Sequence, residues 1–448
     1  MFRSTTTLFA LAGMSLAQAP FPSVPMRPIA DPEAAPVVSE VREVSPSRDI
    51  DLVLCLDVSG SMQGLIDSAR QNLWSIVNDM ATLQPQPRLR VALLTYGSPL
   101  YGKDSGFVAI QTGLTDDLDL VSQKLFALST NGGSEYVARV VKRSLDDLDW
   151  SKDQQALKLI FVAGNEPATQ DPQFAADEMA KRAIQRGILV NTIFCGSQQK
   201  PEVEGWRHVA RLADGKFTAI EHNQQVVIET PFDKQLRDLS TQLNSTYVVY
   251  GANRVQWAQN QVTQDRNAAT LNLGAVAQRC QTKAGNLYHN PRYDLVDACK
   301  DPKFVLTSVK TEHLPEALQK MTVEELKAHV DGMAKKRGAI QKQVAEIGKQ
   351  RDAFVLAERK KLAGKGEKLF EEAMLESVRA QARSRGFERR APSVVEKAES
   401  EKPVQQQPVQ EEPVQQEEAI KAEKKAPQAP RKEAPAANVR QARKQVRK

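Results

Sequence analysis

A chain of 448 residues, 41% apolar and 26% charged, is long enough for two or three structural units with cores of ordinary size. Its formal charge of +6 belongs to one end: residues 421–448 hold ten Lys or Arg against two Glu, a net +8, which leaves the rest of the chain at −2. The globular part is therefore nearly neutral. The four cysteines include no C-x-x-C pair, so zinc and thioredoxin-type chemistry lack support.

Residues 1–17 read as an export signal, with Arg3, an apolar stretch over 8–16, and small residues before a cleavage point after Ala17. Residues 18–48, rich in Pro, Val, Ser and charge, read as a linker. No later run reaches the roughly 18–20 apolar residues that a membrane span requires. The expectation is an exported protein, periplasmic or secreted, without a transmembrane segment. In such a compartment Cys280 and Cys299, which flank a turn-rich segment, are candidates for a disulfide. It would close a loop of about 20 residues and contribute about 3 kcal/mol. Cys55 and Cys195 read instead as small core residues within strands.

The stretch 51–62, DLVLCLDVSGSM, organises the rest of the chain. Its unbroken apolar run over 52–56 suits a strand covered on both faces, as in parallel sheets. Asp57, Ser59 and Ser61 follow, with Gly60 between the serines, and then Leu65, Ile66, Ala69, Leu73, Ile76, Val77 and Met80 at helical spacing. One carboxylate and two hydroxyls thus stand at the carboxyl edge of an interior strand, where open α/β sheets bind ligands. Oxygens at i, i+2 and i+4 on a tight turn can converge on one small hard cation. Mg²⁺ asks for about six oxygens at roughly 2.0–2.1 Å and commonly keeps waters or takes ligands from a partner. The plainer role of the same residues is capping, with Ser59 or Ser61 as the helix cap and Asp57 beside the positive helix end.

Further strands are predicted over 88–97, 107–112, 156–163, 188–195 and 216–221. Helices are predicted over 116–128, 134–148, 172–186, 206–212 and 231–244. About six strands alternating with helices define an α/β fold with a doubly wound, mostly parallel sheet. With the D-x-S-G-S-M turn after the first strand, residues 49–245 resemble von Willebrand factor type A domains, and the turn resembles their metal-ion-dependent adhesion site. The resemblance implies Mg²⁺ or Mn²⁺ held by Asp57, Ser59 and Ser61. A further hydroxyl would come from Ser134 in Asn131-Gly132-Gly133-Ser134, a residue equally suited to capping the next helix. The family's third loop normally begins Asp-Gly. Here it reads Ala163-Gly164-Asn165-Glu166-Pro167, and the aspartate is absent. Glu166, or the Asn165 amide, is then the candidate to reach the ion directly or through water. A site with one direct carboxylate holds its ion weakly without a partner, yet leaves it more electrophilic toward an incoming carboxylate. The rival expectation is a degenerate site kept as scaffold.

Residues 246–310 read as an accessory extension: a strand-like run at 247–251, a helical piece from 264, and YDLVDA at 293–298. This order resembles a group of bacterial exported type A proteins without well-defined activity. Residues 311–385 read as a helical, coiled-coil-like region. Thr322 and Glu325 have capping-box spacing, and Leu326, Val330, Met333, Ile340, Val344, Ile347 and Phe354 follow 4,3 spacing interrupted by Arg337 and Arg351. An antiparallel hairpin turning at Gly364 and Gly366, and a homo-oligomer through residues 322–385, are the two expectations. Residues 386–448, with Pro-Val-Gln at 403, 408 and 413, have the composition of a disordered tail. Its basic close is either solvated or offered to an anionic polymer.

Five scattered histidines, and the lack of a phosphate loop or nucleophile elbow, argue against an enzyme. The expected function is a binding protein of the bacterial envelope that captures an acidic side chain of a protein partner through the cation. The alternative is an assembly scaffold associating through its coil.

Overall fold

The computed structural model describes residues 48–221, 226–362 and 369–389. In chain order its elements are β1 (Asp49–Asp57), α1 (Gln63–Met80), β2 (Leu83–Gln84), β3 (Arg88–Tyr96), β4 (Val108–Thr115), α2 (Leu118–Phe126), α3 (Val137–Asp147), β5 (Leu157–Gly164), α4 (Ala176–Gln185), β6 (Ile188–Cys195), α5 (Val203–Leu212) and β7 (Phe217–Ile220). Beyond these come α6 (Asp233–Asn244), α7 (Arg254–Leu271), α8 (Leu273–Ala284), α9 (Leu295–Ala298), α10 (Val323–Leu362), α11 (Phe370–Ser384) and β8 (Glu388–Arg389).

All nine residues of β1 are buried, as an unbroken apolar run demands of a strand covered on both faces. The main sheet has the order β4-β3-β1-β5-β6-β7 and is parallel except at its edge, where β4 runs antiparallel to β3. Because side chains alternate along a strand, β1 feeds two cores. Leu52, Leu54 and Leu56 join α1 in one layer, with Trp74 among its buried residues. Val53 and Cys55 join α3, α4 and α5 in the other, around Trp206. Full burial of each large apolar side chain contributes about 1.5–3 kcal/mol.

The later segments pack back onto the first layer. Thr322 and Glu325 do form a capping box: Thr322 N donates to Glu325 Oε2 at 2.8 Å, and Glu325 N to Thr322 Oγ1 at 3.2 Å. The helix it starts, α10, is neither half of a hairpin nor a free coil. It lies along α6, α8 and α9. Ile340, Val344 and Ile347 enter the same core as the sheet, whereas Leu326 and Val330 pack with Val248, Leu295, Val296, Leu314 and Leu318. The two arginines that interrupt the stripe are buried anchors. Arg337 Nη1 donates to Asp294 at 2.6 Å and to Asp297 at 3.2 Å, and its Nε and Nη2 donate to the Thr246 hydroxyl and carbonyl. Arg351 Nε donates to Asp233 at 2.7 Å. The seam expected to recruit a second copy is thus consumed within the chain. Helix α11 lies against α1 and the β5–β7 half of the sheet, burying Phe370, Met374, Val378 and Ala382. Gly364 and Gly366, expected to form its turn, fall outside the described residues.

Other expectations need correction. The run 247–251 forms no strand beyond a single bridge between Val249 and Asp294, because Val248 N is taken by the Asp294 side chain. Helix α7 begins at Arg254, ten residues before the helical piece expected from 264. Order continues past Gly386: Phe387 is buried, and Glu388 and Arg389 pair with Gln84 and Leu83. Arg48, assigned to the linker, donates to the Arg385 carbonyl and lies over the Phe387 ring. All four cysteines are free; Cys280 is buried in α8, and Cys299 is exposed. The expected export signal, the linker up to residue 47, and the tail from 390 lie outside the described residues. Among those described, no helix is long and apolar enough to cross a membrane.

Candidate metal centre

The turn after β1 is held by main-chain bonds. Val58 N donates to Tyr96 O at 2.9 Å at the end of β3, and Met62 N donates to Ser59 O at 3.1 Å. The N-cap position of α1 is Met62, with no side-chain cap, so neither Ser59 nor Ser61 serves the plainer capping role. Asp57 Oδ1 accepts from Ser59 N at 2.8 Å. Its other oxygen, Oδ2, is buried without a hydrogen-bond partner among the described residues, and so are Ser59 Oγ and Asn165 Oδ1. Asn165 Nδ2 donates to Ser61 Oγ at 3.1 Å, tying the loop after β5 to the loop after β1.

Two glycines make room for this arrangement. At Gly97, with φ +86°, a Cβ would lie 2.7 Å from Asp57 Oδ1 and 3.1 Å from Glu135 Cγ. At Gly164 it would lie 2.4 Å from Tyr96 Oη and 3.1 Å from Asp57 Oδ2. The Tyr96 hydroxyl, which donates to Ala163 O at 2.9 Å, fills the space beside Asp57.

The electrostatics are those of an uncompensated acid. Burial pushes the Asp57 carboxyl up to about 7 against the pull of the Ser59 N–H and the nearby Ser59 hydroxyl, and the charges of Glu135 and Glu166 push the same way as burial. Ser59 Oγ lies near enough to favour the carboxylate's charge without reaching hydrogen-bond geometry. Glu135 is also raised, first by burial and then by Glu166. An ionised oxygen buried without a partner is costly, so it is either protonated or neutralised by a cation. A hard cation with oxygen ligands fits this donor set of carboxylate, hydroxyl and amide oxygens. Among the described residues no cluster of three or more His, Cys, Asp or Glu is shaped to hold a metal, so any ion here relies on neutral oxygens as well.

The structure joins Asp57 to Ser59 and Ser61 to Asn165. Glu166 is exposed; its carbonyl accepts from Trp206 Nε1 at 2.8 Å, and its charge reaches Asp57. Ser134 is half-buried in the loop before α3 and is not that helix's cap, a position held by Tyr136. Glu135, beside it, also comes near Asp57 across Gly97 and was not singled out in the sequence. The only signal was an acidic side chain directly after Gly-Gly-Ser.

Residues 51–249 match the von Willebrand factor type A domain. That part of the chain is a von Willebrand factor type A domain. Among solved structures it is similar to the SpRpn10 VWA domain, at 14% identity over 40% of this chain and 98% of that one, with a TM-score of 0.31. An aerotolerance-related membrane protein from Bacteroides fragilis, solved with multiple mutations to serines, matches at 15% identity over 39% and 93%, with a TM-score of 0.28. Proximal thread matrix protein 1 of the mussel byssus, with a zinc-occupied MIDAS motif, matches at 11% identity over 40% and 43%, with a TM-score of 0.31. The chain thus spans less than half the length of the byssus protein. No curated protein matches it.

Proposed function

We propose that this protein is a non-enzymatic binding module of the bacterial cell envelope, which captures an acidic side chain of a protein partner at a divalent cation. Asp57, Ser59 and Ser61 would hold the ion, Mg²⁺ or Mn²⁺, with the Asn165 amide oxygen beside them. The observation that carries the reading is the unpartnered, fully buried Asp57 Oδ2 in company with the unpartnered Ser59 Oγ. A bound ion would supply the positive charge on which a partner carboxylate rests. Asp57 gives it a fixed anionic anchor, the serines give neutral oxygens, and the exposed Ser61 marks the side open to a partner. The envelope assignment rests on the export signal read in residues 1–17.

Assembly through residues 322–385 is the weaker reading, since Ile340, Val344 and Ile347 are buried in the chain's own core. The test is calorimetric titration of the full chain with Mn²⁺, paired with capture of envelope proteins in the presence and absence of the ion. Both signals should vanish in Asp57→Ala. Capture that persists in excess chelator overturns the proposal.

A further inference from the structure

We propose that Glu135 supplies a second carboxylate to this cation site, standing in for the aspartate that the loop after β5 lacks. The inference rests on the cation reading and concerns how the ion's charge is balanced.

The third loop has Ala163 and Asn165 on either side of Gly164, and its one carboxylate, Glu166, is exposed. A side chain at 164 would run into the Tyr96 hydroxyl at 2.4 Å, and Ala163 is buried in the core layer shared with α1. Asn165 offers only a neutral oxygen.

Glu135 approaches from the other side. The Cβ position of Gly97 is 3.1 Å from Glu135 Cγ and 2.7 Å from Asp57 Oδ1, so those two atoms are separated by no more than the sum of the distances. The Glu135 side chain therefore passes over Gly97 alongside Asp57, and a substituent at 97 would wedge them apart. Its backbone is pinned there. Asn131 N donates to Val58 O at 2.8 Å at one end of the loop, and Gln170 Nε2 donates to Glu135 O at 2.8 Å at the other. Glu135 is half-buried, unlike the exposed Glu166.

Among the described residues no Lys, Arg or His forms an ion pair with Asp57, Glu135 or Glu166; the nearby Arg139 is committed to Asp171. Carboxylates on two side chains this near one another, without a basic partner, repel unless a cation lies close to both. The unpartnered Asp57 Oδ2 and Ser59 Oγ, on residues 0% and 4% exposed, independently mark where it would lie. One carboxylate leaves a divalent ion with a net positive charge, and two neutralise it. The ion then resides in the site before any partner arrives, and a partner's acid meets a less electrophilic centre.

The experiment uses the full chain with Mn²⁺ as probe, reading affinity by the electron paramagnetic resonance of free Mn²⁺ and the number of bound waters by proton relaxation. Wild type should bind Mn²⁺ without a partner. Glu135→Gln should weaken binding by about tenfold or more and admit one further water, while Glu135→Asp, which keeps the charge on a shorter arm, should fall between. Melting curves of the metal-free variants establish that they fold. If Glu135→Gln keeps wild-type affinity and water count while Asp57→Asn abolishes binding, the cation site stands and Glu135 is outside it. If wild type itself binds no Mn²⁺, the cation reading fails and this proposal with it.

Discussion

Arg351 on α10 reaches Asp233 at the start of α6 with a 2.7 Å bond across 118 residues of sequence, and both side chains are buried. The same carboxylate accepts from Thr230 N at 2.9 Å and Thr230 Oγ1 at 2.8 Å, so one acid orders the entry to α6 and anchors α10. Removing one member of a buried pair strands the other. Arg351→Met should destabilise the chain by about 3–5 kcal/mol, read as a lower urea midpoint. Adding Asp233→Leu should recover only part of the loss, because the Thr230 bonds go too.

Cutting the chain before Thr322 should not release a folded domain. It would strip Ile340, Val344, Ile347, Phe370, Met374 and Val378 from a core that also contains β1 and α1. Residues 49–310 alone should bind a hydrophobic dye and melt without a cooperative transition. A sharp melt near that of the full chain would show α10 and α11 to be dispensable.

Asp57 makes a signed prediction about pH. Its folded value is raised from 3.8 to about 7, first by burial. Its contribution to stability is therefore complete below 3.8 and is lost as pH rises toward about 7. In chelator, Asp57→Asn should raise the melting temperature at pH 8 and change it little at pH 4. Mn²⁺ should stabilise wild type more at pH 8 than at pH 5, since protons compete for the same oxygens. Equal Mn²⁺ shifts at both values would place the ion elsewhere.

Gly164→Ala should cost about 1–3 kcal/mol by overpacking, because the added carbon meets Tyr96 Oη at 2.4 Å. Tyr96→Phe removes that oxygen and the bond to Ala163 O. The double variant should therefore be less destabilised than the two single losses combined, which a double-mutant cycle measures directly.

Thiol titration tests the cysteines. Cys299 is exposed, while Cys55, Cys195 and Cys280 are buried, and burial pushes the Cys280 thiol up to about 12. One thiol per chain should react in the native protein and four in denaturant. Two reactive thiols after denaturation would restore the disulfide that the structure rejects.

The sheet and the turn after β1 were legible in the sequence because both are written in local patterns. An unbroken apolar run means a strand covered on both faces, and D-x-S-G-S-M places three oxygens on the turn after it. Thr322 and Glu325 announced a helix start for the same reason, since a capping box spans a single turn. By contrast, the 4,3 stripe of α10 states that a face will be buried, and cannot state against what. Arg337 and Arg351 looked like defects in a coil until Asp294, Asp297 and Asp233 appeared opposite them.

Glu135 shows the same division at the site. Its proximity to Asp57 arises from the bare backbone of Gly97, just past the end of a strand that pairs with β1. Periodicity and turn chemistry act within a few residues, so the sequence alone determined the main sheet and the turn after β1, though not the run 247–251 or the start of α7. Which charges meet, and which face covers which core, depends on approaches between distant segments, and only the tertiary structure decides those.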